Sequence, residues 1–158
     1  MKVVYTCYGG AHSSPVAAAV HLGWLPSDRA PTARELLGVP RFDRAQSKDF
    51  GVLEHMGRDE DGHDVYVLGR GPHPRPVERA LASGYEAAGG NADDLMIVCT
   101  LPCVNAAMRV GGFVSRRLGW VAAGRPVALW GTRRAYFAIV RLVLETKAAL
   151  RAGRQERK

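Results

Sequence analysis

Four side chains near the start of the chain are of types that can carry chemistry, and they follow an apolar run that begins at Val3. The run predicts a buried strand that ends at Cys7, and His12, Ser13 and Ser14 then lead into an alanine-rich helix. A thiol beside a helix N-terminus can act as a nucleophile, and a nearby histidine can serve as general acid, general base or positive donor. The alternatives are a buried apolar Cys7, a His12 bonded to a backbone carbonyl, and serines that cap the helix.

The loop between the predicted strand and helix has the composition of an anion-binding loop. Glycines before a helix N-terminus allow several backbone N–H groups to point at one spot, and the helix dipole favours a negative charge there. The sequence therefore predicts a site for a phosphorylated or otherwise anionic small molecule, with Cys7 and His12 as catalytic residues. The predicted ligand-binding residues of this loop are Tyr8, Gly9, Gly10, Ala11, Ser13 and Ser14.

This segment resembles the phosphate loop of the low-molecular-weight tyrosine phosphatases and their arsenate-reductase relatives. In that family a strand ends in C-x5-R-S and a helix of small residues follows. The resemblance places Cys7 at the nucleophile and Ser14 at the serine, whereas Ser13 stands where the family has an arginine that clamps the phosphoryl group. It implies a cysteine-dependent hydrolase, transferase or reductase whose loop lacks the usual clamp.

Over most of its length the chain also resembles a small family of uncharacterised proteins from Firmicutes. These proteins open with C-Y-G-G-x-H-S-S and later carry H-M-G-x-D-E-x-G-x-x-V-Y-V-L-G, which here runs from His55 to Gly69. The resemblance covers Met1 to about Leu150. It implies a bacterial, cytoplasmic protein and no established activity.

Composition and charge limit the classes of protein that the chain can represent. A length of 158 residues with 47% apolar content suits one domain with a hydrophobic core. A formal charge of +7 favours anionic partners, either a small molecule or nucleic acid, although no motif of interleaved aromatic and basic residues supports nucleic acid. Three cysteines, no visible secretory leader and no apolar run of membrane-spanning length predict a cytoplasmic protein with no membrane partner.

The order of apolar runs and turn residues predicts an α/β fold. We expect strand, helix, hairpin, helix, strand, helix, strand and helix, which is typical of a single three-layer domain with a mostly parallel sheet and one inserted β-hairpin. The predicted domain covers residues 1–150, and residues 151–158 form a basic C-terminal tail. The predicted elements after the hairpin are a helix from Val77 to Ala88, a strand from Leu95 to Cys99, a helix from Ala106 to Leu118, a last strand from Arg125 to Trp130 and a closing helix from Arg133 to Ala152.

Ligands of open parallel sheets bind at the carboxyl ends of the strands, and this rule selects three loops that should converge. They are Cys7 to Ser14, Thr100 to Asn105, and Trp130 to Arg134, where Gly131 and Thr132 are predicted as the turn. The second and third loops add four predicted ligand-binding residues, namely Cys103, Asn105, Thr132 and Arg133. Asn105 can also cap its helix and Cys103 can be a plain loop thiol. The C-x3-C spacing of Cys99 and Cys103 is not a usual zinc pair, so we predict no metal site, and the sequence names no cofactor.

Two hypotheses about function follow from these patterns. The first is an enzyme that binds an anionic small molecule at the Cys7–Ser14 loop and uses the thiol with help from His12. The second is a non-catalytic module for ligand sensing or protein interaction, derived from a phosphatase-like or P-loop-like fold. The P-loop comparison rests on element order, because only Ser13 fits the Walker pattern G-x4-G-K-[ST].

Overall fold

The computed structural model describes residues 1–156, apart from the side chains of Ser47, Arg117 and residues 154–156. Its four strands are β1 (Lys2–Cys7), β2 (Leu53–Arg58), β3 (Asp64–Gly69) and β4 (Leu95–Cys99). Its five α-helices are α1 (Ser13–His21), α2 (Ala33–Gly38), α3 (Pro74–Ala87), α4 (Ala106–Gly112) and α5 (Val121–Glu156). Short 3-10 turns cover Ser47–Asp49, Ala92–Asp94 and Leu101–Cys103, and a π-helical turn, Phe113–Arg117, joins α4 to α5.

The strands form one mostly parallel sheet in the order β2-β3-β1-β4. The central strand β1 pairs in parallel with both β3 and β4. Strand β2 runs antiparallel to β3, and the two form a hairpin. At the hairpin turn Gly62 has a φ of +83°, a value that favours glycine. The predicted α/β fold with one inserted hairpin is confirmed.

One face of the sheet holds the hydrophobic core. Val3 and Tyr5 of β1 are completely buried on this face, which α1 and α5 cover. Small side chains let α1 lie close to the strands, and the whole helix is buried. At about 25 cal/mol per Å² of apolar area, this burial is the main stabilising contribution to the fold. The buried residues of α1 and α5 in this core include Val16, Ala17, Ala18, Ala19, Tyr136, Ile139 and Val143.

The opposite face of the sheet is tied to α3. Arg70, which follows β3, forms an ion pair with Glu78 of α3 and donates from Nη2 to the Sγ atom of Cys99 at 2.8 Å. Cys99 pairs with Thr6 of β1 in the sheet. Tyr5, the neighbour of Thr6 in that strand, points to the core side. Because side chains alternate along a strand, Arg70 and α3 lie on the side away from α1 and α5.

The predicted strand from Arg125 to Trp130 is wrong, because this segment lies inside the long helix α5. A short apolar run is compatible with either a buried strand or a buried helix, and here close packing against α4 favours the helix. A Cβ atom on Gly124 would lie 2.3 Å from the backbone nitrogen of Ser115, and one on Gly131 would lie 2.7 Å from that of Met108. Gly131 is therefore part of a helix–helix contact, and Gly131 and Thr132 do not form a turn.

Helix α5 continues to Glu156, beyond the predicted end of the domain at residue 150. Arg151 donates to Asp61 and Glu60 at 3.2 Å each, and so joins the helix to the turn of the hairpin. Of the predicted basic tail, Arg157 and Lys158 lie outside the described residues. Within residues 1–156 no helix combines the length and the apolar character that a membrane span requires.

Candidate functional site

The thiol of Cys7 is held at the end of β1 by two polar groups of the following loop. The backbone N–H of Gly10 donates to Sγ at 3.1 Å, and the hydroxyl oxygen of Ser14 lies at the same distance from it. Gly10 has a φ of +66°, which turns its N–H back towards the strand end and favours glycine. Cys7 is 4% exposed and Ser14 is completely buried, so these contacts are shielded from bulk water.

The end of β3 fixes the shape of this loop by backbone contact. Arg70 donates its N–H to the Cys7 carbonyl at 3.0 Å, and Gly71 donates to the Tyr8 carbonyl at 2.8 Å. A Cβ atom on Gly69 would lie 2.9 Å from the carbonyl carbon of Gly9, so only glycine fits there without movement of the backbone. Two adjacent parallel strands therefore position the loop.

The two serines of the loop do not cap α1, which corrects the prediction. The residue before the first turn is His12, and its side chain makes no capping hydrogen bond. Ser13 is buried and its hydroxyl oxygen lies 2.8 Å from Oγ1 of Thr100, which follows β4. Ser14 contacts Cys7 instead. Ser14 therefore connects the start of α1 to the end of β1, and Ser13 connects it to the residue that follows β4.

His12 is oriented by a buried carboxylate from a distant part of the chain. Its Nε2 atom lies 3.2 Å from Oδ1 of Asp43, its ring meets the edge of Phe42, and a Cβ atom on Gly112 would lie 3.0 Å from its Cε1. Three other donors reach the same carboxylate. They are the hydroxyl of Ser115 at 2.7 Å and the Nε atoms of Arg125 and Arg116 at 2.7 and 3.3 Å.

Asp43 is ionised at neutral pH because of these contacts. Burial by itself would raise the pKa of this carboxyl, but the hydrogen bonds from His12, Arg125 and Ser115 outweigh it and hold the pKa well below its ordinary value. Its backbone N–H also donates to the Ala11 carbonyl at 2.8 Å. The carboxylate thus joins the Cys7–Ser14 loop to the start of α5.

A cleft of about 540 Å³ opens beside Cys7 and His12. This volume suits a small organic molecule. One wall is the loop after β1, the second is the segment from residue 101 to residue 116, and the third comes from the stretch between α2 and β2. The lining residues are Cys7, Tyr8, Gly9, Ala11, His12, Ser13, Ala45, Gln46, Phe50, Leu101, Val104, Met108, Arg109, Gly112, Phe113 and Arg116.

Comparison with protein-family models gives one match, to a family described as protein of unknown function DUF3189, over residues 2–148. The chain belongs to the DUF3189 family. The match agrees with the similarity to uncharacterised proteins inferred from the sequence, and it includes the whole sheet, the cleft and Asp43. Comparisons with curated proteins and with solved structures found no match.

In this DUF3189 protein two of the three predicted loops meet. The Thr100 hydroxyl reaches Ser13, while Leu101 and Val104 line the cleft opposite the Cys7–Ser14 loop. The predicted loop from Trp130 to Arg134 is part of α5. Among the described residues, the lining of the cleft therefore includes neither Thr132 nor Arg133.

Of the four ligand-binding residues predicted outside the first loop, three make contacts within the fold, and Arg133 is exposed. Asn105 accepts a hydrogen bond from the Met108 N–H at 2.9 Å and so caps α4, as the alternative interpretation predicted. Cys103 faces the Ala138 carbonyl at 3.5 Å, and burial raises the pKa of its thiol. Thr132 is buried and donates to the Ala128 carbonyl at 2.7 Å, whereas Arg133 is exposed along α5.

Sequence reasoning missed Asp43, Arg109 and Arg116 of this DUF3189 protein. Asp43 lies in a polar stretch without a regular apolar pattern, and its four side-chain partners are 31 to 82 residues away. The one available signal was the helical spacing of the two arginines, seven residues apart, which places them on one side of a continuing helix. No group of three or more metal-ligating side chains occurs among the described residues.

Proposed function

We propose that this DUF3189 protein binds a phosphorylated or otherwise anionic small molecule in the cleft, with the charged group at the Cys7–Ser14 loop. The observation that carries the proposal is the pair of polar contacts on Cys7. The Gly10 N–H donates to its sulfur and Ser14 Oγ also lies 3.1 Å from that atom, which lines the cleft. A cysteine sulfur held at the edge of a cleft can reach a bound ligand and act on it as a nucleophile.

The position of His12 supports a catalytic role for this thiol. With Asp43 ionised, His12 donates from Nε2 to the carboxylate, and its ring lines the same cleft as Cys7. A carboxylate that accepts from one nitrogen of an imidazole fixes the orientation of the ring and leaves the other nitrogen for a ligand. The histidine can then hold a negative ligand or give a proton to a leaving group.

The reaction that this arrangement suits is transfer of a phosphoryl group to the thiol. The Cys7 thiolate would attack phosphorus, the ester P–O bond would break, and the leaving oxygen would take a proton from His12. Water would then attack the phosphorus of the phosphocysteine and give a proton to His12, while the S–P bond breaks to release phosphate and restore the thiolate. The overall reaction is hydrolysis of a phosphate monoester, in which no group is oxidised or reduced.

A non-catalytic ligand sensor is the second candidate, and the position of Ser13 favours it. Ser13 stands where the phosphatase loop has its arginine, and its hydroxyl is engaged with Thr100. A loop without that positive charge can bind an anion through backbone N–H groups while giving little stabilisation to a phosphoryl-transfer transition state. The two candidates differ in turnover and agree on binding.

A thermal-shift series on the purified protein tests the proposal. Phosphate, sulfate, arsenate, and nucleotides with and without magnesium are the probes, since selective binding to the folded state raises the melting temperature. We expect a saturable rise with phosphate or arsenate that is lost in Gly10→Ala, where a side chain would meet the backbone of Gly69 at 3.1 Å. The matched control Gly38→Ala, with nothing near its Cβ position, keeps the rise. No rise with any of these anions at millimolar concentration would contradict the proposal.

Hydrolysis of p-nitrophenyl phosphate then separates the two candidates. An enzyme releases phosphate in a reaction that Cys7→Ser abolishes and Cys103→Ser leaves intact. A sensor binds phosphate without turnover. A free thiol at the site requires reducing conditions, so we place the protein in the cytoplasm as part of this proposal.

A further inference from the structure

We infer that the segment after β4 supplies the cationic clamp that the Cys7–Ser14 loop lacks. Arg116 is its main residue, Arg109 adds a second positive charge, and Asp43 positions Arg116. The ligand is a phosphate or arsenate group carried on an apolar body. This inference rests on the proposed function, because it names the residues that would hold the anion at the same site.

Arg116 combines a fixed stem with free donor capacity. Its side chain lines the cleft and is 21% exposed, while its Nε atom lies 3.3 Å from Asp43 and 3.2 Å from the Ser115 hydroxyl. Because both contacts are made through Nε, the terminal Nη groups are available to a ligand in the cleft. A guanidinium held in this way can bind two oxygen atoms of a phosphate side by side.

The contacts of Asp43 hold Arg116 and His12 in place. Its carboxylate is completely buried and contacts His12, Ser115, Arg116 and Arg125. The residue has a φ of +52°, a left-handed conformation that is uncommon outside glycine but that aspartate adopts more readily than most residues, and its surroundings hold it there. The Ala11 carbonyl accepts from its backbone N–H, and Arg125 near the start of α5 donates to its carboxylate.

The charges around the cleft leave an excess of positive charge. One carboxylate, Asp43, faces two arginines and His12, and exposed Arg109 lines the cleft in addition. Most of the other lining residues are apolar, which limits screening by water and strengthens the attraction for an anion. Arg116 and Arg109 therefore complete the positive side of the cleft from outside the loop.

The exposed rings on the other walls of the cleft indicate the kind of group to which the anion is attached. Tyr8 is 45% exposed and Phe113 is 53% exposed, an unusual degree of exposure for apolar rings that line a cleft. Tyr8 also meets the ring of Phe50 edge to face, with centroids 5.6 Å apart. Such rings gain free energy when an apolar group covers them. The cleft therefore fits a phosphate monoester with an apolar body better than a free nucleotide, whose ribose and base carry many polar groups.

A pair of arginine variants tests the inference, with inorganic phosphate titrated calorimetrically as the probe. Arg116→Met removes the proposed clamp. Arg125→Met is the matched control, because it removes the same charge and a contact to the same carboxylate from a residue outside the cleft lining. We expect Arg116→Met to weaken phosphate binding by about ten- to hundredfold, the range for a charge-assisted hydrogen bond, and Arg125→Met by no more than about threefold.

Further variants keep the result decisive if Arg116→Met does not fold. Arg116→Lys retains the charge without the planar fork, so it should fold and bind phosphate more weakly than the wild type. Asp43→Asn should weaken binding as well, and it should add little to an Arg116 variant, because both changes act on the same contact. Equal phosphate affinity in the wild type and both Arg116 variants overturns the inference and leaves the proposed function intact. Absence of phosphate binding to the wild type contradicts both.

The body of the ligand is tested with the same calorimetry. Phenylphosphonate, which has no ester bond for the proposed reaction to break, should bind at least about tenfold more tightly than inorganic phosphate, since burial of a ring contributes more than 1.4 kcal/mol. Phe113→Ser should reduce this difference without changing the affinity for inorganic phosphate. Equal affinities of the wild type for the two probes would contradict the apolar body while leaving the arginine clamp in place.

Discussion

The Sγ atom of Cys7 lies 3.1 Å from the hydroxyl oxygen of Ser14, although Ser14 is already inside the helix that follows the loop. A residue at the end of β1 is thereby joined to the first turn of α1. The contact gives the buried serine a role other than capping. Together with the Gly10 N–H, the hydroxyl gives the buried sulfur two polar partners.

Removal of this hydroxyl should slow the chemistry of Cys7. In Ser14→Ala the sulfur loses one of its two polar partners, so we expect alkylation of Cys7 by iodoacetamide at pH 7 to become several-fold slower. Mass spectrometry of the Cys7 peptide gives the rate. Ser83→Ala, at an exposed serine of α3, is the control and should leave the rate unchanged. A Ser14→Ala protein that reacts as fast as the wild type would show that the contact has no effect on reactivity.

The strand and loop at the start of the chain could be predicted because their signals are local. The run from Val3 to Cys7 is apolar and short, Gly9 and Gly10 break it, and the alanines that follow favour a helix. Each of these properties depends on neighbouring residues alone. The same holds for β4, whose predicted limits agree with the structure.

The helix from Val121 and the role of Asp43 could not be predicted, because both depend on distant contacts. The run Arg125 to Trp130 has a strand-like composition and a proline, and it becomes helical where Gly124 and Gly131 allow α4 to approach. Asp43 is placed in a polar stretch with no local pattern. Its importance arises from partners on the loop and on the last helices, which only the fold brings together.

The contact between α4 and α5 should be intolerant of any side chain at Gly124. A Cβ atom there would lie 2.3 Å from the Ser115 nitrogen and 2.6 Å from the Gly111 carbonyl oxygen, and both are backbone atoms that cannot rotate away. We expect Gly124→Ala to lower the free energy of unfolding by at least about 1–3 kcal/mol, as measured by urea denaturation. Gly84→Ala, at an open and exposed position in α3, should instead raise it by about 0.5–1 kcal/mol. Equal effects of the two changes would disprove the close approach of the helices.

A buried histidine away from the cleft should make stability depend on pH. The neutral ring of His21 donates from Nε2 to Asp59 and accepts at Nδ1 from the Tyr5 hydroxyl, at 2.8 Å each, and burial lowers its pKa despite the attraction of Asp59. The unfolded chain therefore takes up a proton at about pH 6.5 that the folded state resists. The stability that His21 contributes is fully present above about pH 6.5 and is lost as the pH falls below that value.

Denaturation at several pH values checks this dependence. Between about pH 7.5 and pH 5.5 the free energy of unfolding of the wild type should fall, and His21→Gln should show a smaller fall, because glutamine does not titrate. His73→Gln, at an exposed histidine, is the control and should follow the wild type. A wild-type curve that rises towards pH 5.5, or a His21→Gln curve with the same slope as the wild type, would contradict a lowered pKa of His21 in the folded state.

Protection of Cys7 by an anion tests the central claim most directly. The wild-type protein is treated with iodoacetamide at increasing concentrations of inorganic phosphate or arsenate, at constant ionic strength, and alkylation of all three cysteines is followed by mass spectrometry. We predict that the anion slows alkylation of Cys7 saturably and leaves Cys99 and Cys103 unaffected, since only Cys7 of the three lines the cleft within the described chain. Alkylation of Cys7 at a rate independent of either anion would contradict the assignment of the loop as an anion site.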